Sequence, residues 1–273
     1  MITSYEIDPP PEVGEVADWL ERVRRNDGLA AAQQAVFGLA RRYPQVEDLQ
    51  ALAMWHRPQW WEPLQFGAIR LERRAPQHFD FVWSTMLDRD FSQRLKHVPA
   101  DLTPRDLLHV LTQDHIALIP QSRAVQWVVF RGSEPIGLSM FVNISFQNRV
   151  AEQIMGILPG HDTAFAVGDS YLASLSFAFN TLGLNKVQGL VYRDNAIVAE
   201  LQERFGFRRE GVLRQAVWRE DAGRYEDVIQ ISMLRSEFDA NRVTQRYIAR
   251  QQRSSLLMLR QEWPRKPLAA PRG

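Results

Sequence analysis

The chain predicts an α/β (α+β) fold: a sheet flanked by helices, with a helical region before it and a further helix after it. Three observations carry this. Ile136, Leu138, Met140, Val142 and Ile144 alternate with Gly137, Ser139, Phe141 and Asn143, the two-residue period of a strand whose faces differ. Leu172, Leu175, Phe179 and Leu182 share one face of a helix predicted over Asp169 to Leu182, which Gly183 ends. The run KVQGLVY, Lys186 to Tyr192, then reads as a buried strand, and Asn195 opens a second helix with Val198, Leu201 and Phe205 on one face.

The bulk numbers narrow the function classes. At 273 residues the chain has room for one large domain or two small ones. A net charge of +1 gives no global attraction to nucleic acid or an anionic membrane, so no nucleic-acid partner is expected. With no cysteine, disulfides, thiolate metal sites and a Cys nucleophile are excluded, which fits a cytoplasmic setting. No apolar run approaches the roughly 20 residues of a membrane span. The start, MITSYEIDPPPEVGE, lacks the basic and apolar segments of a signal peptide.

In order along the chain, residues 1–62 read as a helical extension. Helix one carries Val16, Trp19, Leu20 and Val23; helix two Ala32, Val36 and Leu39; helix three Leu49, Leu52 and Trp55, ending before Pro58. This resembles a fragment of a tetratricopeptide-type array; it reads either as a packed extension or as a docking surface. Residues 66–236 form the main region. Its elements are a strand at Ala68 to Arg73, helices from Pro76 to about Leu87 and from Pro104 to about Gln113, and strands at Gln126 to Phe130 and Ile136 to Ser145 around an RGSEP turn. A strand at Arg149 to Leu158 follows, then the helix–strand–helix above, and final strands at Gly211 to Trp218 and Asp227 to Leu234. Residues 237–273 read as an arginine-rich C-terminal helix and a Pro-rich tail.

The passage FNTLGLNKVQGLVYRDNAIVAELQERFGFRREGVLR, with its Asn195, eleven residues, then Gly206-Phe207, resembles the acyl-CoA-binding core of the GNAT superfamily of N-acetyltransferases. It looks most like the branch with the ribosomal-protein alanine N-acetyltransferases and the amino-sugar acetyltransferases. The element order over roughly 170 residues is the family's order. The resemblance implies a GNAT-like mixed, mostly antiparallel sheet and an acyl-CoA-dependent N-acyltransferase. Acetyl-CoA or another acyl-CoA would be the donor and an amine, of an amino sugar or a protein N-terminus, the acceptor. An acyl-carrier-protein donor, a non-catalytic scaffold role and a homodimer stay open.

The resemblance also assigns residues. A pyrophosphate needs a helix N-terminus, where free backbone N–H groups and the dipole favour anions. The family loop reads Gln/Arg-x-x-Gly-x-Gly/Ala. One alignment here puts Asp162, Phe165 and Val167 at its defining positions; a one-residue slip puts Thr163, Ala166 and Gly168 there. Both lack a basic or amide side chain, and Asp169 adds negative charge. Ala166, Val167, Gly168 and Asp169 are the expected phosphate residues. The pantetheine arm would lie between the strand ending Met155-Gly156-Ile157-Leu158 and the strand Lys186 to Tyr192, with a backbone N–H near Met155 to Ile157 facing the thioester oxygen. Asn195 would contact the arm or simply cap its helix. The family's proton-donating positions fall near Gln202 and Val198. Glu152 is the candidate base for the attacking amine, and His161 a second titratable candidate. Asn143, Ser145, Tyr192, Trp218 and Tyr225 could line the acceptor side, while the Trp55, Trp60 and Trp61 cluster reads as packing. No metal site is expected, because the histidines show no ligand spacing.

Overall fold

The computed structural model describes residues 13–92, 102–116, 123–219, 222–242 and 244–249. The N-terminal twelve residues and the arginine- and proline-rich end beyond residue 249 lie outside them. Among the described residues no helix is long and apolar enough to cross a membrane.

Four helices come first: α1 (Val13–Asp27), α2 (Leu29–Arg42), α3 (Glu47–Trp55) and the short α4 (Pro58–Trp61). Their apolar stripes close on each other, burying Val16, Leu20, Ala32, Val36, Leu39, Leu49 and Leu52 in a core of their own. The Pro58 that ends helix three in the sequence also opens α4 at its first position, where a missing N–H is harmless.

The sheet has eight strands: β1 (Leu64–Phe66), β2 (Ile69–Arg73), β3 (Val125–Arg131), β4 (Glu134–Ser145), β5 (Val150–Ile157), β6 (Lys186–Tyr192), β7 (Arg208–Arg219) and β8 (Arg224–Leu234). Their order is β1-β2-β3-β4-β5-β6-β8-β7. Every neighbouring pair is antiparallel except β5 and β6. The expected first strand is thus a hairpin, because Gly67 takes a positive φ of 57° and turns the chain between β1 and β2.

The flanking helices are α5 (Phe79–Leu87), α6 (Arg89–Ser92), α7 (Pro104–Ile116), α8 (Ala164–Ser176), α9 (Ala196–Arg204) and α10 (Arg235–Ala240). One of them departs from expectation at both ends. Helix α8 begins at Ala164, five residues before the expected Asp169, because Thr163 caps it: the Thr163 hydroxyl accepts the Ala166 N–H at 3.3 Å. Its end, Phe177–Thr181, widens into a π turn before Gly183.

Period two separates the two faces of the sheet. Ala151, Gln153, Met155 and Ile157 of β5 face α8, and Gln153 donates to Ser174 of that helix at 2.6 Å. Ile154 and Leu158 face α5 and α7, where they join Val82, Leu107, Leu111 and Val128. The tryptophan cluster is packing, as read from the sequence. Trp55 and Trp60 are buried, Trp60 lies against Phe177, and Trp61 donates to the Trp55 carbonyl at 2.9 Å. Arg123 closes the seam between extension and sheet by pairing with Glu47 at 2.9 Å and Asp48 at 2.6 Å.

Close packing of β4 on β5 depends on a missing side chain. A Cβ on Gly137 would lie 2.3 Å from the Gly156 carbonyl oxygen, whereas one on Gly211 would meet nothing within 4 Å. Gly137→Ala should therefore destabilise the fold by about 1–3 kcal/mol, seen as a melting-temperature drop of roughly 2–10 °C. Gly211→Ala serves as the control and should leave melting within about a degree of wild type; equal melting of the two variants would contradict this packing.

Candidate active site

The parallel pair β5·β6 is short. Val150, Ala151 and Glu152 pair with Lys186, Val187 and Gln188, and no further partners follow although both strands run on, to Ile157 and Tyr192. The strands part at Glu152. On its other edge β5 stays bound to β4, with Leu158 N–H donating to the Ile136 carbonyl at 2.8 Å. Antiparallel pairing alternates, so the N–H groups of Gly156 and Ile154 also point at β4, and those of Met155 and Ile157 point into the gap. This is a strand edge with free main-chain groups, opened inside a sheet.

The N-terminus of α8 stands at the carboxyl end of β5, a place where ligands bind α/β sheets. In its first turn the Val167 N–H bonds to the Thr163 carbonyl at 3.0 Å and the Ala166 N–H to the Thr163 hydroxyl. The preceding N–H groups, of Ala164 and Phe165, come too early for a helical partner. Arg131, at the end of β3, reaches this turn: its Nη2 donates to the His161 carbonyl at 3.0 Å and to the Thr163 hydroxyl at 3.3 Å. The rest of its fork is left for an anion. The cation that the loop sequence lacks therefore arrives from another strand. No spacing rule could place Arg131 here, since the link is the β3–β4 hairpin folding over the end of β5.

The side chains of the residues expected at the phosphate make the following contacts. Phe165 is 78% exposed and does not crowd the turn. Ala166 is buried, and Val167 packs against the core. Gly168 makes room for a ring, since a Cβ there would lie 2.8 Å from Phe205 Cζ. Asp169 sits in the second turn, buried, accepting the Tyr247 hydroxyl at 2.8 Å. Its charge is held by the C-terminal helical segment rather than presented to the helix end.

Helix α9 borders the gap through β6. Asn195 occupies its N-cap position without making a side-chain cap bond, so its amide is not spent on the helix. Val198 packs on the main core. Gln202 is buried; its Nε2 donates to the Tyr171 hydroxyl, and its Oε1 has no hydrogen-bond partner among the described residues. A buried acceptor left without a donor is costly. Burial pushes the Tyr171 phenol up to about 12, so it stays protonated at neutral pH.

Glu152 is buried and lies at the residue where β5 and β6 part, across from Val142 on β4 and Gln188 on β6. By period two it shares the α5–α7 face with Ile154. A shallow hollow of about 430 Å³, lined by Gln126, Val142, Asn143 and Ser145 among others, lies beside its strand partner Val142. His161 stands elsewhere. It follows the far end of β5, with its carbonyl on Arg131 and its Nε2 3.7 Å from Glu134. The structure does not bring Glu152 and His161 together. Tyr192 stacks under Arg219, and Trp218 meets Tyr225 edge-on at 5.0 Å on the last hairpin.

No protein-family profile matches the chain. The chain is similar to an uncharacterized N-acetyltransferase, YoaA, of Bacillus subtilis (strain 168), at 30% identity over 110 residues. That match covers 40% of this chain and 62% of the relative, a little under two thirds of its length. Among solved structures, the spermidine N-acetyltransferase of Vibrio cholerae in complex with CoA and spermine superposes with a TM-score of 0.56 at 23% identity, covering 63% of this chain and 98% of that one. The dodecameric form of the spermidine N-acetyltransferase of Vibrio cholerae gives 0.54 at 24% identity, covering 64% and 98%. The likeness establishes a GNAT-like fold, a mixed α/β sheet with mostly antiparallel strands flanked by helices.

The buried Asp169 carries a pH signature. Burial raises its pKa, against the lowering effect of the Tyr247 hydroxyl. A carboxyl whose folded pKa lies above its unfolded value of about 3.9 stabilises the fold below that value and loses this contribution as pH rises through the folded one. Asp169→Asn keeps an acceptor for Tyr247 and removes the ionisation. The variant should gain melting temperature relative to wild type between about pH 4 and pH 7; a difference that is flat with pH would contradict it.

Proposed function

We propose that the protein is an acyl-CoA-dependent N-acyltransferase, in the simplest case an acetyltransferase, acting on a primary amine by direct transfer. The observation that carries this reading is the parting of β5 and β6, with the Met155 and Ile157 N–H groups turned into the gap next to an α8 N-terminus that Arg131 attends. Three features fit the donor. The gap offers main-chain pairing to an amide-bearing arm. The Ala164 and Phe165 N–H groups with Arg131 suit a pyrophosphate. The orphaned Gln202 Oε1 suits an N–H or S–H of the arm, and Asn195 has a free amide alongside.

An acyl-CoA held there supplies an activated acyl group and a thiolate leaving group. This chain's residues do the rest. A backbone N–H of Met155 or Ile157 donates to the carbonyl oxygen as negative charge grows on it. Glu152 accepts the proton that the attacking amine sheds as its nitrogen bonds to the acyl carbon. Gln202 and Asn195 orient the arm. His161 has no proton-transfer role in this reading, because it belongs to the phosphate end. Arg131 also favours free acyl-CoA over a carrier-protein donor, since it supplies the charge whose absence from the loop pointed to a carrier.

For the acceptor we favour an amino sugar or a protein N-terminus. A polyamine would need uncompensated carboxylates. At the carboxyl end of β6, Asp194 pairs with Arg219, Asp227 with Arg193 and Glu226 with Arg224.

Acetyl-CoA at 100 times its dissociation constant should stabilise the protein by about 2.7 kcal/mol, and Arg131→Ala should weaken that binding about tenfold. Glu152→Gln should keep the acetyl-CoA shift while slowing acyl transfer by about 10²–10⁴-fold. An undiminished rate removes Glu152 as base, and no shift with any acyl-CoA removes the donor.

A further inference from the structure

The helical extension and the sheet domain enclose a cleft of about 990 Å³ at the opposite end of β5 from the α8 N-terminus. Four arginines line it, two from each side of the seam. Arg41 comes from α2 and Arg57 from the turn before α4; Arg149 lies just before β5 and Arg235 at the start of α10. No Asp or Glu is among its lining residues. Arg57 and Arg149 have no carboxylate within 4 Å among the described residues, and Arg41 spends its Nε on the Phe37 carbonyl at 3.2 Å. Arg235 donates to the Phe179 carbonyl at 2.7 Å and lies 3.6 Å from Asp239 outside the cleft.

The carbonyl end of α8 is in the same wall, and three of its acceptors are taken. Leu182 N–H bonds to the Phe177 carbonyl at 3.0 Å, Leu184 N–H to the Ala178 carbonyl at 3.0 Å, and Arg235 to that of Phe179. The cleft therefore keeps a positive field. Its remaining walls include the apolar surfaces of Phe37, Met54, Phe146 and Leu182. Arg149 also holds a φ of 53°, a conformation that glycine would occupy without strain. Its backbone carbonyl accepts the Asn185 and Lys186 N–H groups at 2.7 and 3.0 Å, which fixes the chain where the side chain enters the cleft.

We infer that this cleft is a second, non-catalytic binding site for a small phosphorylated molecule with an apolar or aromatic body, the phosphates on Arg57 and Arg149 and the body on Phe37, Met54 and Phe146. Arginine forks suit phosphate oxygens, and a cleft of this volume is the size of a small-molecule site. The site exists only where the extension meets the sheet, which gives the extra helices a purpose beyond packing. The inference does not depend on the acyltransferase reading.

Calorimetric titration of the full chain with ATP, inorganic triphosphate and adenosine tests it. ATP should bind more tightly than triphosphate, and adenosine should not bind. The double variant Arg57→Gln/Arg149→Gln removes exposed, unpaired side chains and should melt like wild type. It should bind both phosphate probes more weakly, by about tenfold for each arginine lost. Failure of ATP and triphosphate to bind at low millimolar concentration would overturn the proposal. So would unchanged binding by the double variant. Binding of an oligoglutamate peptide in place of the phosphate probes would assign the cleft to an acidic protein segment instead.

Discussion

The molecule turns on three residue pairs. Everything else in the sheet is antiparallel, and only Val150–Glu152 against Lys186–Gln188 runs parallel. The parallel pair is what α8 demands. A helix that leaves the carboxyl end of β5 and returns the chain to the amino end of its neighbour can only deliver a parallel strand. Once paired for three residues the strands separate, since β5 follows β4 and β6 follows β8. A sheet interior without water would not tolerate the resulting open edge. The gap is therefore where the proposed function places a ligand with its own amides.

The side chains of β5 alternate between the two layers that flank the sheet. Odd residues of β5 bind the strand to α8, through Gln153 and Ser174. Even residues face α5 and α7, and Glu152 is one of them, at the point of divergence. In the proposed reaction the main chain of β5 would meet the acyl donor and a side chain of β5 the acceptor. A one-residue slip in the β4–β5 register would exchange these faces, and the close contact of Gly137 with Gly156 guards against it.

Much of this was legible in the sequence where periodicity or punctuation is strong. The alternation through Ile136–Ser145 and the run Lys186–Tyr192 located two strands, and Asn195 and Gly206 bracketed α9. What could not be read was long-range. The start of α8 was placed at Asp169 because apolar spacing begins there, whereas the Thr163 cap lies one and a half turns earlier. Asp169 looked like a charge beside a phosphate until Tyr247, 78 residues away, took it up. Arg131 sits in a turn that reads as ordinary, and only the β3–β4–β5 meander carries it to the helix end. Local pattern fixes elements; the partners of charges are set by topology.

The most direct test of the central claim is amide hydrogen exchange at Met155 and Ile157, with and without acetyl-CoA. These two N–H groups should exchange readily in the free protein, unlike those of Ile154 and Gly156 on the same strand, and become protected when acetyl-CoA binds. Protection already present in the free protein, or exchange at Met155 and Ile157 unchanged at saturating acetyl-CoA, would contradict it.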